Sequence, residues 1–117
     1  MNSEELRDRT KKFALEIIHL FQKLPKTDEA KIIGRQLLRS ATSVAANYRA
    51  ACRGRSKDEF YAKLCIVVEE ADEMLFWLEL LKDSKILDNK VIINLYNESE
   101  ELLYIFSAAR KTTKINK

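Results

Sequence analysis

The stretch from residue 39 to residue 56 reads RSATSVAANYRAACRGRS. It contains no Leu, Ile, Phe or Met, although the whole chain is 46% hydrophobic. Alanine and arginine are among the residues that favour helices most, and Gly54 is the kind of residue that ends one. The stretch therefore predicts the second half of a helix whose small side chains let a neighbouring helix pack closely against it.

The composition of the whole chain points to a single all-α domain. Its 117 residues include only two Gly and one Pro, and long runs of helix-favouring Leu, Ile, Glu, Lys, Arg and Ala separate them. A chain of this length buries one hydrophobic core. No strand pattern interrupts the helical spacing of the apolar residues.

Capping residues and apolar periodicity together predict four helices. We place them at approximately 4–24, 28–53, 57–82 and 89–112. The expected N-cap residues are Ser3, Thr27 or Asp28, Ser56 and Asp88, and Ser56 with Glu59 matches a capping box. Because the connections are short, each helix should pack antiparallel to the next. The predicted fold is an up-down-up-down four-helix bundle formed by residues 1–117.

A helical wheel divides the second helix into three surfaces. Its core face is predicted to be Ile33, Leu37, Ser40, Val44, Asn47 and Ala51. Ser40 and Asn47 are therefore predicted buried polar residues, which must hydrogen-bond across the bundle or to a helix backbone to avoid a desolvation cost. The alternative is that Asn47 lies at the rim of the core, in contact with water. The outward face carries a basic stripe of Lys31, Arg35, Arg39, Arg49 and Arg53.

The third surface of the second helix and the outer side of the third helix predict self-association. The third surface of the second helix, which we call its flank, is made almost wholly of small residues. The third helix has apolar residues on the side that faces away from the core. The predicted oligomer interface is Gly34, Leu38, Ala41, Ala45, Cys52, Ile66, Phe76, Trp77 and Leu80. One bundle is not expected to bury all of them, so we predict a homo-oligomer. A monomer with scattered surface apolar residues is the alternative.

Charge is distributed unevenly along the chain. Residues 1–55 have a net charge of +6 and residues 56–117 a net charge of −3. In the predicted bundle, residues 1–12, 49–63 and 107–117 share one end, which has a net charge of +8. The predicted nucleic-acid-binding residues at this end are Arg7, Lys11, Lys12, Arg49, Arg53, Arg55, Lys57, Arg110, Lys111 and Lys114. An ordinary solvated basic surface is the alternative interpretation.

Several segments resemble a known bacterial family. They are RSATSVAANY at 39–48, SKDEF at 56–60, EADE at 70–73 and WLELL at 77–81. These residues resemble the four-helix bundle proteins encoded in intervening sequences of large-subunit ribosomal RNA genes, which are related to the accessory variability protein of diversity-generating retroelements. Ala50 and Ala51 stand where a Glu and a Gly commonly follow the Asn segment in that family.

The resemblance implies a homopentamer with a positively charged surface and, for the retroelement branch, binding of nucleic acid and of a reverse transcriptase. Together with the basic end, it leads to a functional hypothesis. We expect a non-enzymatic, sequence-tolerant nucleic-acid-binding oligomer that assists an RNA-processing enzyme or a reverse transcriptase, with RNA or DNA as its ligand. A protein-interaction scaffold that uses its charged faces inside the oligomer is the alternative.

Enzymatic and cofactor-dependent functions have little support in the sequence. His19, in a Glu-x-x-His spacing with Glu16, is the single histidine, so a two-metal helical site of paired Glu-x-x-His motifs cannot be completed. The two glycines are isolated, and Cys52 and Cys65 have no metal-binding spacing. We expect no enzyme activity, no metal and no cofactor. The charged N-terminus and the lack of a long apolar run predict a cytoplasmic protein without membrane contact.

Overall fold

Four helices account for nearly all of the chain. The structure, a computed structural model, describes residues 1–115. Within them, α1 is Ser3–Lys23, α2 is Asp28–Cys52, α3 is Lys57–Asp83 and α4 is Lys90–Ile115. No strand occurs in this part of the chain. The prediction of an all-α chain with four helices is therefore confirmed, and α4 extends three residues beyond the predicted end at 112.

Side-chain oxygens cap the first turn of each helix, though not always the predicted ones. Thr27 Oγ1 accepts a hydrogen bond from the N–H of Ala30, as expected. The predicted caps Ser3 and Asp88 are wrong by one residue. Asn2 caps α1 by accepting from the N–H of Glu5, and Asn89 Oδ1 accepts from the N–H of Ile92 in α4. In both helices an Asn immediately adjacent to the predicted residue has the side-chain amide in reach of the free N–H groups.

At the start of α3, the capping box is only half formed. Ser56 Oγ accepts from the N–H of Glu59 at 3.1 Å. The Glu59 carboxylate, however, accepts from the N–H of Arg55 at 2.6 Å rather than from Ser56. The connection before α3 is held to the first turn by both interactions.

Each helix packs against the next along the chain. The connections 24–27, 53–56 and 84–89 are much shorter than the helices, so successive helices run antiparallel. Arg39 in α2 contacts Glu70 and Glu73 in α3, and Lys82 in α3 lies 3.9 Å above the ring of Tyr96 in α4. The resulting bundle measures 46 × 21 × 19 Å.

The core contains side chains from all four helices. The largest side chains that are fully buried are Phe13, Ile17, Leu37, Val44, Leu64, Val67, Met74, Leu78, Leu81, Ile92, Leu102 and Phe106. Tyr48 of α2 is also buried, and its ring centroid lies 5.1 Å from that of Phe106 in α4. Burial, together with the neighbouring Cys52, raises the pKa of the Tyr48 phenol above its ordinary value.

The buried sector of α2 is wider than the sequence predicts, and it includes part of the small-residue flank. Gly34 and Ala41, predicted at an intermolecular interface, are buried inside the bundle instead. A Cβ atom on Gly34 would lie 2.5 Å from Leu24 Cδ1 and 3.0 Å from Phe21 Cδ1. Phe21 lies in the last turn of α1 and Leu24 is the C-cap residue of that helix, so the close approach that the flank permits occurs within one chain.

The helices of the described residues show no membrane-spanning character. None of them combines the length and the apolar composition needed to cross a bilayer.

Candidate nucleic-acid interface

Between α1 and α2 lies a surface groove of about 760 Å³ with a basic half. Arg7 and Lys11 line it from α1, Arg49 lines it from the last turn of α2, and Arg53 lines it as the C-cap residue of that helix. Each pair is spaced four residues apart, which places both side chains on the same side of their helix. Because the two helices are antiparallel, the start of α1 lies beside the end of α2 and the pairs face a common groove. Asp8 is the one carboxylate among the described residues that line it.

The other half of the groove is formed by small and aliphatic residues. They are Ala14, Leu15 and Ile18 from α1 and Thr42, Ala45 and Ala46 from α2. Alanines of the 39–56 stretch therefore keep the groove open, because larger side chains at these positions would fill it. The sequence analysis did not identify Leu15 and Ile18 as part of a site, although they continue the spacing of Arg7 and Lys11 along one side of α1.

A second basic depression lies between α3 and α4 at the same end of the bundle. It has a volume of about 370 Å³ and is lined by Tyr61, Ser107, Arg110, Lys111 and Lys114. The three cations come from the end of α4, and Tyr61 comes from the second turn of α3. Sequence reasoning missed the two hydroxyl-bearing residues, because only the packing of α3 against α4 brings them beside the cations.

Of the ten predicted nucleic-acid-binding residues, seven therefore line one of two separate depressions. Lys12, Arg55 and Lys57 are exposed and line neither of them. Asn116 and Lys117, which were included in the charge of the predicted basic end, lie outside the described residues. The single patch that the sequence predicts is thus divided between two faces of the bundle.

Two other arginines are paired within the chain. Arg9 in α1 donates hydrogen bonds to both carboxylate oxygens of Glu98 in α4, at 2.7 and 2.6 Å, and lies 3.0 Å from Glu101. The hydrogen bond to Glu98 is the main reason that the pKa of Arg9 is raised above its ordinary value. Arg9 therefore contributes little free positive charge to the basic end.

Arg39 interrupts the basic stripe predicted on the outer face of α2. Its guanidinium contacts Glu73 at 2.7 Å and Glu70 at 3.1 Å, both in α3. The hydrogen bond from Arg39 lowers the pKa of the Glu73 carboxyl below its usual range, and a second hydrogen bond from Trp77 Nε1 acts in the same direction. Arg39 therefore partly neutralises the Glu70 and Glu73 carboxylates of the same chain.

The remaining residues of the predicted oligomer interface differ in exposure. Leu38, Ala45, Cys52, Trp77 and Leu80 are half-buried. Ile66 and Phe76 are exposed, with 38% and 49% of their surfaces accessible. Phe76 also packs edge-on against Trp77, with 5.1 Å between the ring centroids. These two exposed side chains are the members of the predicted set that the bundle leaves most open.

The two predicted buried polar residues make hydrogen bonds within α2. Ser40 is fully buried, and its Oγ donates to the carbonyl of Gln36 at 2.9 Å. Asn47 is half-buried at the rim of the core, and its Nδ2 donates to the carbonyl and the hydroxyl of Ser43, both at 2.9 Å. Both side chains are thus satisfied by their own helix and not across the bundle.

Metal ligands do not cluster in the described part of the chain. Among residues 1–115, no group of three or more His, Cys, Asp or Glu side chains is arranged to hold a metal ion. Cys52 and Cys65 are free thiols of intermediate exposure.

The fold and the site define a class of small helical bundle with grooves on its surface, between neighbouring helices, and with seven cations that line two depressions at one end. The chain belongs to the 23S rRNA-intervening sequence protein family, whose family model matches residues 4–108.

A solved structure of similar fold supports this assignment. It is a protein of unknown function from the S23 ribosomal protein family of Bacteroides thetaiotaomicron. Sequence identity is 31%, the alignment covers 95% of this chain and 99% of the other, and the TM-score is 0.85. No curated protein matches the chain.

Proposed function

We propose that this protein is a non-enzymatic, oligomeric nucleic-acid-binding protein that assists an RNA-processing enzyme or a reverse transcriptase. The observation that carries the proposal is the pair of basic depressions at one end of the bundle. Four cations line the α1–α2 groove and three line the α3–α4 depression. Asp8 is the single carboxylate among their described lining residues.

Binding of this kind is electrostatic and tolerant of sequence. Lysine and arginine that contact phosphates release condensed counterions, which gives affinity without reading bases. Asn and Gln, which pair with the edges of adenine, are absent from the described lining of the two depressions, and we assign the arginines and lysines there to phosphates. The proposed ligand is therefore RNA or DNA recognised through its backbone.

Family membership supports a connection with ribosomal RNA, because the family takes its name from intervening sequences of 23S rRNA. The proposal includes assembly as a homopentamer, which the resemblance to this family implies. Exposed apolar side chains such as Ile66 and Phe76 supply surface for such an interface. A symmetric ring would repeat both depressions, and multivalent contact strengthens weak phosphate binding.

A charge-reversal experiment tests the proposal. Binding of a structured RNA is measured by fluorescence anisotropy over a series of salt concentrations, for wild type and for the double variant Arg49→Glu with Arg53→Glu. The matched control is Lys31→Glu with Arg35→Glu, which makes the same change of charge at the same spacing. Lys31 and Arg35 line a smaller depression of about 190 Å³ at the opposite end of the bundle, so the comparison tests whether RNA binds at the proposed end. Light scattering gives the mass of each protein.

We expect wild-type affinity to fall steeply as salt rises. Arg49→Glu with Arg53→Glu should remove most of the binding and leave the mass unchanged, whereas the control pair should retain most of it. Equal losses in the two double variants would mean that overall charge, rather than the groove, attracts the RNA. Affinity that does not change with salt would exclude the electrostatic mechanism.

A protein-interaction scaffold is the second candidate function. It is favoured by the exposure of Phe76 and Ile66 on α3, which are apolar side chains without a role in the core. If Arg49→Glu with Arg53→Glu splits the oligomer into smaller species, the groove is a contact between subunits and this second function takes precedence.

A further inference from the structure

Tyr104 is the most exposed large hydrophobic side chain of the described residues. It lies on α4 with 75% of its surface accessible, although a tyrosine has ample apolar area to bury. Lys111 follows it by seven residues, which is a rotation of only about 20° and a rise of about 10.5 Å on an α-helix. The Tyr104 ring and the Lys111 ammonium therefore belong to one stripe of α4.

The same stripe leads directly into the depression between α3 and α4. Arg110, Lys111 and Lys114 supply its cations, and Tyr61 and Ser107 supply hydroxyl groups. No carboxylate is among the described residues that line it. The combination of cations, hydroxyl groups and an adjacent exposed aromatic ring differs from the α1–α2 groove, whose described lining residues include no aromatic side chain.

We propose that the α3–α4 depression binds single-stranded nucleic acid, with phosphates on Arg110, Lys111 and Lys114 and an unpaired base stacked on Tyr104. This inference rests on the proposed nucleic-acid-binding function and specifies the form of the ligand at one of its two sites. Proteins that bind single strands combine a basic track for the backbone with aromatic side chains that stack on bases. In a duplex, the faces of the bases are already stacked, so Tyr104 has nothing to engage.

Neighbouring charges determine in which direction the strand leaves Tyr104. Glu100 and Glu101 lie one turn before Tyr104 on α4, and Glu101 is only partly neutralised, through its contact with Arg9. These carboxylates repel phosphates. In the other direction along α4, towards Lys111, the next residue on the same side of the helix is Ala108, whose side chain is only a methyl group. The strand therefore extends from Tyr104 towards the end of α4, and the contact with Tyr104 is the limit of the site.

The test compares one 12-nucleotide RNA without self-complementarity with the same RNA annealed to its complement. Dissociation constants are measured at several salt concentrations for wild type and for Tyr104→Ala, Tyr104→Leu and Tyr104→Phe. Leu keeps apolar bulk without a π face, whereas Phe keeps the ring and loses only the hydroxyl. Because Tyr104 is exposed, these variants should retain the fold, which circular dichroism verifies.

We expect Tyr104→Ala and Tyr104→Leu to weaken single-strand binding about tenfold at physiological salt, while Tyr104→Phe stays close to wild type. Duplex binding should change by less than about twofold, since it does not use the ring. The salt dependence should be unaltered, because no phosphate contact is lost. Lys111→Ala should instead lower the salt slope for the single strand by about 0.7.

Two outcomes would overturn the inference. One is an unchanged single-strand affinity in Tyr104→Ala, and the other is an equal loss for single strand and duplex. In either case, wild-type binding of RNA leaves the proposed function standing. If wild type binds neither RNA at physiological salt, the proposed function itself fails, and the inference fails with it.

Discussion

Replacing Gly34 by Ala tests whether the small flank of α2 packs inside the chain. Two effects oppose each other. Alanine favours a helix interior over glycine by about 1 kcal/mol. The new Cβ, however, would lie 2.5 Å from Leu24 Cδ1 and 3.0 Å from Phe21 Cδ1, so both side chains must move. Adding a methyl group to a packed core costs about 1–3 kcal/mol. We expect Gly34→Ala to lower the free energy of unfolding by about 1 kcal/mol.

Thermal and urea unfolding followed by circular dichroism measure this change. At about 2.1 cal/mol/K per residue, the unfolding entropy of a 117-residue chain converts 1 kcal/mol into a decrease in Tm of about 4 °C. Ala46→Gly, at an exposed position of α2, gives the helix-propensity term alone and should cost about 1 kcal/mol. In a Leu24→Ala background, Gly34→Ala should be less destabilising, because its nearest neighbour is absent.

The reasoning is refuted if Gly34→Ala stabilises the protein by the full propensity difference. The Cβ would then have free space, and α1 would not approach α2 at this point. A variant of unchanged monomer stability but reduced mass in light scattering would place Gly34 at a contact between chains, as the sequence analysis predicted.

Three further predictions concern ion pairing and the core. Arg39→Met should lower the free energy of unfolding at pH 7 by less than about 1 kcal/mol, because both partners are partly exposed. Arg39 lowers the pKa of Glu73 from its ordinary 4.5, so the stabilisation is present above pH 4.5 and is lost as pH falls through the lowered pKa. The difference in unfolding free energy between wild type and Arg39→Met should therefore be smaller at pH 3 than at pH 7. Among the described side chains, Ser99 Oγ is buried without a hydrogen-bond partner. Ser99→Ala should therefore leave the free energy of unfolding in urea unchanged or raise it by about 1 kcal/mol. A loss of more than about 1 kcal/mol would mean that the hydroxyl has a partner. Met74→Ala should cost about 2–5 kcal/mol in the same assay, since Met74 is fully buried, and a cost below 1 kcal/mol would contradict its place in the core.

Helix periodicity was the most informative property of the sequence. On α3, apolar spacing predicts an inner face of nine residues. Phe60 and Leu75 are half-buried, and the other seven are buried: Leu64, Val67, Val68, Ala71, Met74, Leu78 and Leu81. The face of α2 was harder to predict, because Gly34 and Ala41 are too small to register as core residues in a hydrophobic pattern. Their burial depends on the side chains of α1 that cover them.

The sequence predicted the positive charge of the candidate site, but not that its cations are divided between two depressions. Arg49, Arg53 and Lys111 lie near helix ends that an antiparallel bundle must bring together, so a basic end follows from helix order alone. Whether a given arginine is free or paired depends on what stands opposite it. Arg9 and Arg39 meet carboxylates 89 and 34 residues away along the chain, and no local pattern reveals such partners.

The sequence by itself determined that this is an all-α chain of four helices, because helix propensity, capping and apolar spacing are local properties. The family was identified separately, by the resemblance of four short segments and by the family model. Only the tertiary structure decided how α2 is rotated, which cations stay unpaired and where the two depressions lie. Those features arise where side chains distant in the chain meet, and their positions follow from how the helices pack.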